Sequence, residues 1–138
     1  MPAIVWDERY SVPDPHIDDQ HKVLVALVND VFEARERGWA VDERRNLLGL
    51  ILSFLEKHFS DEEALMRRAA YPELPAQLAD HQRILAEFHR RLYAGPAPEV
   101  RTLDWVAEGV EAHFLEFDAP MADWLRNHPV APEPGEAG

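Results

Sequence analysis

The sequence predicts an all-α fold, an up-down-up-down four-helix bundle with an extended N-terminal arm. Three observations carry this. Four stretches repeat apolar side chains three or four positions apart, the spacing of one helix face. Short segments with proline or glycine separate them, and helices joined this closely fold back on one another. No stretch alternates apolar and polar residues over a useful strand length.

Residues 1–17 contain Pro2, Pro13 and Pro15 with Trp6 and Tyr10, and read as an arm packed along the bundle. The first helix spans Asp18 to Arg37, with Ile17, His21, Leu24, Val28, Val31 and Phe32 on its apolar face and Gly38 as its stop. The second runs from Asp42, a candidate N-cap, to Arg68. Its wide face carries Leu48, Ile51, Leu55, His58, Phe59, Glu62 and Leu65. Tyr71-Pro72 ends it, because proline disfavours helix in the residue before it. The third begins near Pro75 and carries Leu78, His81, Ile84, Leu85, Phe88 and Leu92. A loop at 94–98 leads to the fourth, Glu99 to Asp118, whose apolar side holds Leu103, Val106, Val110, His113, Phe114 and Phe117. Pro120 is expected to break or kink it, with a short helical piece after it through Met121, Trp124 and Leu125. Residues 1–127 are expected to form one domain, and 128–138, rich in Pro, Gly, Ala and Glu, a disordered tail.

A chain of 138 residues is one domain by size and can keep a real core. Hydrophobic residues at 46% and charged residues at 29% argue against wholesale disorder. The formal charge of -12 repels phosphate backbones and anionic lipid, so neither nucleic acid nor a membrane surface is an expected partner. Without cysteine, disulfides, thiolate zinc sites, iron–sulfur clusters and cysteine nucleophiles are excluded. The first residues lack a signal-peptide pattern and no apolar run reaches membrane-spanning length, so a cytoplasmic location is expected.

Of the histidines, His21, His58, His81 and His113 lie on core faces, one per helix. One such histidine is most simply a satisfied core residue. Four imidazoles at one level are costly to bury unless something uses their lone pairs, and a metal does. Glu62 follows His58 by four residues, about 40° round the helix, so the two share a face. Alone, Glu62 reads as part of a solvated acidic run with Asp61 and Glu63. Inside a bundle it is favoured as a bridge between cations. Asp118 follows His113 by five residues, about 140° on an undistorted helix. Pro120 removes a backbone donor and frees that turn to deform, which would bring Asp118 round. Imidazole and carboxylate without thiolate suit iron or manganese, with zinc an alternative. There is no Glu-x-x-His, HExxH, GxGxxG, phosphate-binding GK[ST] or GxSxG.

These residues resemble the hemerythrin family, and within it the bacteriohemerythrins. The family pattern is a lone His on the first helix, HxxxE on the second, HxxxH on the third and HxxxxD on the fourth. Here it reads His21, then His58 to Glu62, then a third-helix pair, then His113 to Asp118. Trp6-Asp7-Glu8-Arg9-Tyr10, Ile17-Asp18-Asp19-Gln20-His21-Lys22 and His58 through Met66, followed by Tyr71-Pro72, match as flanks. The resemblance covers roughly residues 4–126 and departs at one place. Counted from Tyr71-Pro72, the first third-helix His falls on Gln77, and His81 is the second. The other register, His81 with Leu85, spoils the spacing from Glu62.

The resemblance implies two iron ions with an oxo or hydroxo bridge, and O2 as ligand. One iron takes His21 and His58. The other takes His81 and His113, with Gln77 where its third His would stand. Glu62 and Asp118 bridge. Gln77 is a neutral, weaker donor: it ligates weakly, or water fills its place, or that iron is easily lost. His16, in the arm, and His89, off the ligand face, are poor substitutes. Leu24, Phe54 and Val110, each about one turn from a ligand, are expected to line an apolar O2 pocket, though ordinary packing explains them equally well. The implied function is storage, transport, delivery or sensing of O2, by a monomer with an O2-accepting protein as a conceivable partner. The alternative is a di-iron enzyme of the oxidase or peroxidase type using an open iron position. A bundle that has lost its metals is a third reading, opposed by six of the seven ligand positions.

Overall fold

A computed structural model describes residues 3–130. It contains α1 (Pro15–Glu36), α2 (Val41–Ala69), α3 (Leu74–Tyr93), α4 (Thr102–His113) and α5 (Ala119–Asn127). A π-helical turn, Phe114–Asp118, joins α4 to α5, so the two form the fourth arm of the bundle without a break. The described residues include no strand. α1 packs on α2 and α4, and α3 packs on α2 and α4. With short joints, this neighbour order is an up-down-up-down four-helix bundle.

Two apolar clusters fill the interior. The larger includes Leu24, Val28, Leu48, Ile51, Phe88, Leu92 and Leu103. The smaller includes Ile17, Leu65, Met66, Tyr71, Met121 and Leu125. Each fully buried side chain of this kind contributes about 1.5–3 kcal/mol. Between the clusters lies a buried polar layer of His21, His58, Glu62, Gln77, His81, His113 and Asp118.

Several helix ends differ from the sequence expectation for local reasons. α1 starts at Pro15, so residues 15–17 belong to the helix and not to the arm. The Asp14 carboxylate accepts from the Ile17 amide at 3.0 Å, and Pro15 sits where no amide donor is needed. The arm is not uniformly extended either. Asp7 caps a 3-10 turn at Glu8–Tyr10, and the Asn29 amide holds Ile4 through both backbone groups, at 3.0 and 2.8 Å.

α2 starts at Val41, which leaves Asp42 in its first turn and not at the cap. Glu43 reaches back to accept from the Ala40 amide at 3.2 Å. α2 ends in a left-handed residue, Ala70, with φ 53°, and the Tyr71 amide donates back to the Met66 carbonyl at 3.0 Å. α4 starts at Thr102, later than Glu99. The preceding loop is tied to α2, where Arg45 donates to the carbonyls of Leu92 and Pro96 and Arg44 to that of Pro98. Pro120 does not break the fourth arm: it falls in the first turn of α5, just past the widened turn. Among the described residues, no helix is long and apolar enough to cross a membrane. Most of the expected tail, residues 131–138, lies outside the described residues.

Candidate metal centre

Glu62 is fully buried and stands among four imidazoles. Its Oε2 lies 3.4 Å from His21 Nε2 and 3.3 Å from His58 Nε2. Its Oε1 lies 3.1 Å from His81 Nε2 and 3.5 Å from His113 Nε2. One carboxylate thus faces one histidine pair with each oxygen. Helical geometry explains the placement, since His58 and Glu62 are one turn apart on the same face of α2.

Asp118 repeats the arrangement from the opposite helix. Its Oδ2 is 3.2 Å from His21 Nε2 and its Oδ1 is 3.2 Å from His113 Nε2. The π turn makes this possible: the Ala119 amide bonds the Phe114 carbonyl, five residues back. One extra residue per turn brings Asp118 onto the face of His113. The result is two groups of donors that share Glu62, with Asp118 3.2 Å from a histidine of each. One is His21, His58, Glu62 and Asp118; the other is built on Glu62, His81 and His113.

Gln77 is buried beside the second group, and its Nε2 donates to Asp118 Oδ1 at 3.1 Å. Its Oε1 has no hydrogen-bond partner. A half-turn of the amide exchanges the two atoms and puts the carbonyl oxygen beside the carboxylate. His16 pairs with Asp61 at 2.9 Å on the outside of the bundle, and His89 lies 3.8 Å from Glu56 with half its side chain exposed. Neither reaches the centre.

The outward ring nitrogens are all anchored. His21 Nδ1 donates to the Tyr10 carbonyl at 2.8 Å, and His58 Nδ1 to Gln20 Oε1 at 2.9 Å. His81 Nδ1 donates to Glu63 Oε2 and His113 Nδ1 to Asp80 Oδ2, each at 2.7 Å. Such bonds fix the tautomer that turns Nε2 inward. Sequence reasoning missed these four anchors, and Glu63 is not merely solvated as its acidic run suggested. Asp61 does point outward, to Lys57, His16 and Gln20.

Rings pack around the layer. Phe59 stacks on His81 at 3.9 Å, and Phe114 lies 4.4 Å from His21.

Burial disfavours every charge here, and the carboxylates and imidazoles outweigh it for one another. His21 is raised to about 10 by Asp118 and Glu62 against the effect of burial. His113 is raised well above the usual histidine range by Asp118, Asp80 and Glu62. Glu62 is held well below the usual carboxylate range by the histidines around it. Asp118 is lowered as well, although burial and neighbouring Glu62 oppose it. In the metal-free chain these imidazoles and carboxylates thus favour one another's charged forms.

A cavity of about 30 Å³ adjoins His58 and His113. Leu24 and Val110 line it, with Phe59, Ile84 and Phe114. Phe54 does not: its side chain is half-buried, and the wall at that level is Leu55. Arg83, bonded to Asp80 at 2.7 Å, stands at the exposed side.

The donor set fits two metal ions. His58 Nε2, Gln77 Oε1 and Asp118 Oδ2 are buried without a hydrogen bond, as atoms meant for another partner would be. Facing donors are 3.1–3.5 Å apart. Bonds of about 2.1 Å at right angles would space donors about 3.0 Å. Imidazole with carboxylate is a donor set for iron.

Fold and site together define a four-helix-bundle protein with a buried cluster of histidines and carboxylates suited to metal ions. A family model described as Hemerythrin HHE cation binding domain matches residues 12–129. The chain belongs to the hemerythrin family, non-haem di-iron proteins that bind O2. It is 29% identical to a bacteriohemerythrin of Ralstonia nicotianae over 91% of this chain and 90% of that one. It is 27% identical to a myohemerythrin of Theromyzon tessulatum, over 89% and 82% of the two chains. A bacteriohemerythrin of Stenotrophomonas maltophilia is 26% identical over 93% and 85%.

Proposed function

We propose that this chain binds two iron ions and takes up O2 reversibly as a store or carrier. The proposed unit is a cytoplasmic monomer with its domain over residues 1–127, able to hand O2 to a protein partner. The observation that carries this reading is a single one. Two donor groups share Glu62, each with a histidine 3.2 Å from Asp118, and adjoin a small, largely apolar cavity.

His21 and His58 hold the first iron; His81, His113 and Gln77 hold the second. Iron supplies the electrons and the open coordination place for O2. The protein supplies orientation and dryness. The outward hydrogen bonds aim all four Nε2 atoms inward. Leu24, Val110 and Phe114 line the face beside His58 and His113 and would keep water from a metal held there. The cavity, about 30 Å³, has room for a diatomic but is far below the roughly 300 Å³ of an ordinary ligand pocket. Its described lining offers no carboxyl or hydroxyl to move a proton. Both points favour a carrier over an oxidase or peroxidase acting on an organic substrate.

The test is metals per chain in protein purified without oxygen, followed by the visible spectrum on adding O2. Two irons and an absorption band that comes and goes with O2 are expected. One iron or none, or irreversible oxidation alone, would overturn the carrier reading and favour the enzyme.

A further inference from the structure

The two halves of the centre are anchored differently. In the first half both anchors are neutral: His21 donates to a backbone carbonyl and His58 to the Gln20 amide oxygen. In the half beside Gln77 both are carboxylates: His81 donates to Glu63 and His113 to Asp80, at 2.7 Å. A hydrogen bond to a carboxylate is charge-assisted and makes the imidazole a stronger donor to a metal than a neutral acceptor does. The same half carries the weakest donor, because a glutamine carbonyl oxygen is uncharged. The anionic anchors thus stand in the half that holds this uncharged donor.

We propose that Asp80 and Glu63 are positioning residues that retain the metal ion in the Gln77 half by strengthening His113 and His81. The inference rests on the two-iron reading above. Asp80 is set for this task. Arg83 grips its Oδ1 through Nη2 at 2.7 Å and Nε at 3.1 Å, which leaves Oδ2 aimed at His113. Asp80 is nearly buried, while Arg83 is largely exposed, so water screens the guanidinium more than the carboxylate. Glu63 approaches from α2, the helix that also supplies Glu62, and its side chain is 21% exposed. Spacing explains both. Asp80 adjoins His81 on α3 yet reaches across to α4, and Glu63 adjoins Glu62 on α2 yet reaches α3. Each anchor ties two helices at the level of the Gln77 half.

The experiment is an anaerobic Fe(II) titration of the full chain, read as irons bound per chain and as stepwise affinity. The proteins are the unaltered chain, Asp80→Asn and Glu63→Gln, each with and without Gln77→His. Each single variant is expected to weaken the second iron about 10–100-fold and leave the first unchanged. Adding Gln77→His should restore the second iron, which a merely structural defect would not allow. Should Asp80→Asn fail to fold by helix content, Glu63→Gln, at the margin of the site, reads the same effect. Unchanged second-iron affinity in the variants, parallel loss of both irons, or no rescue by Gln77→His overturns the inference. Fewer than two irons in the unaltered chain overturns both this inference and the two-iron reading. Two irons in the unaltered chain with unchanged variants overturns this inference alone.

Discussion

At the scale of residues, Gln77 is the position where this chain departs from the family's ligand pattern. It is buried, bonded to Asp118 through its nitrogen, and leaves its oxygen unpartnered. Histidine at this place would add an imidazole donor to the second half. Gln77→His is therefore expected to slow the irreversible oxidation of the O2-loaded protein in air, followed as bleaching of its visible band. An unchanged rate with unchanged metal content would count against a ligand role for residue 77. Residues of this kind are unevenly legible in a sequence. His21, His58, His81, His113 and Glu62 stand on helical faces otherwise reserved for apolar side chains, so periodicity exposes them. Glu63 and Asp80 do not stand out. Each sits next to a ligand on its own helix and acts on a histidine of another, and no spacing rule encodes that reach. The Tyr10 carbonyl is more hidden still, since backbone acceptors have no letter of their own.

At the scale of elements, the four helical arms follow directly from the apolar spacing, while their ends follow from single hydrogen bonds. Asp14 extends α1 to Pro15, and Glu43 moves the start of α2 to Val41. The widened turn at Phe114–Asp118 was legible only as a misfit, five residues where a regular helix wants four. The end of α2 shows a feature the sequence conceals, because Ala70 is left-handed without being glycine. A side chain there costs about 1–2 kcal/mol, and glycine would remove that strain. Part of the gain is offset by the greater freedom glycine gives the unfolded chain. Ala70→Gly is expected to stabilise the protein by about 0.5–1 kcal/mol, seen as a melting point a few degrees higher. A lower melting point would show that the Ala70 methyl has a role beyond strain.

At the scale of the whole molecule, the bundle carries a charged layer between two apolar clusters, and something must compensate it. In the metal-free chain the neighbouring carboxylates favour the protonated forms of His21 and His113. The folded pKa of His21, about 10, lies above its ordinary 6.5. Its contribution to metal-free stability is therefore complete below pH 6.5 and lost as pH rises through 10. Metal ions compete with protons for these imidazoles, so loading near neutral pH should release protons. Between pH 7 and 10 the melting temperature of the chelated protein is expected to fall more than that of the loaded protein. Melting curves at several pH values check this, and parallel profiles would contradict it.

The arm ends as part of the centre it wraps. Tyr10 gives its carbonyl to His21 and its hydroxyl to Glu111 at 2.7 Å, and Ile4 is clasped by Asn29. For anyone producing this protein, that makes the two termini unequal handles. A purification tag or fusion placed close before Ile4 strains the clasp behind a metal-facing histidine. The same addition after α5 starts beyond the helix that ends at Asn127 and leaves the clasp alone.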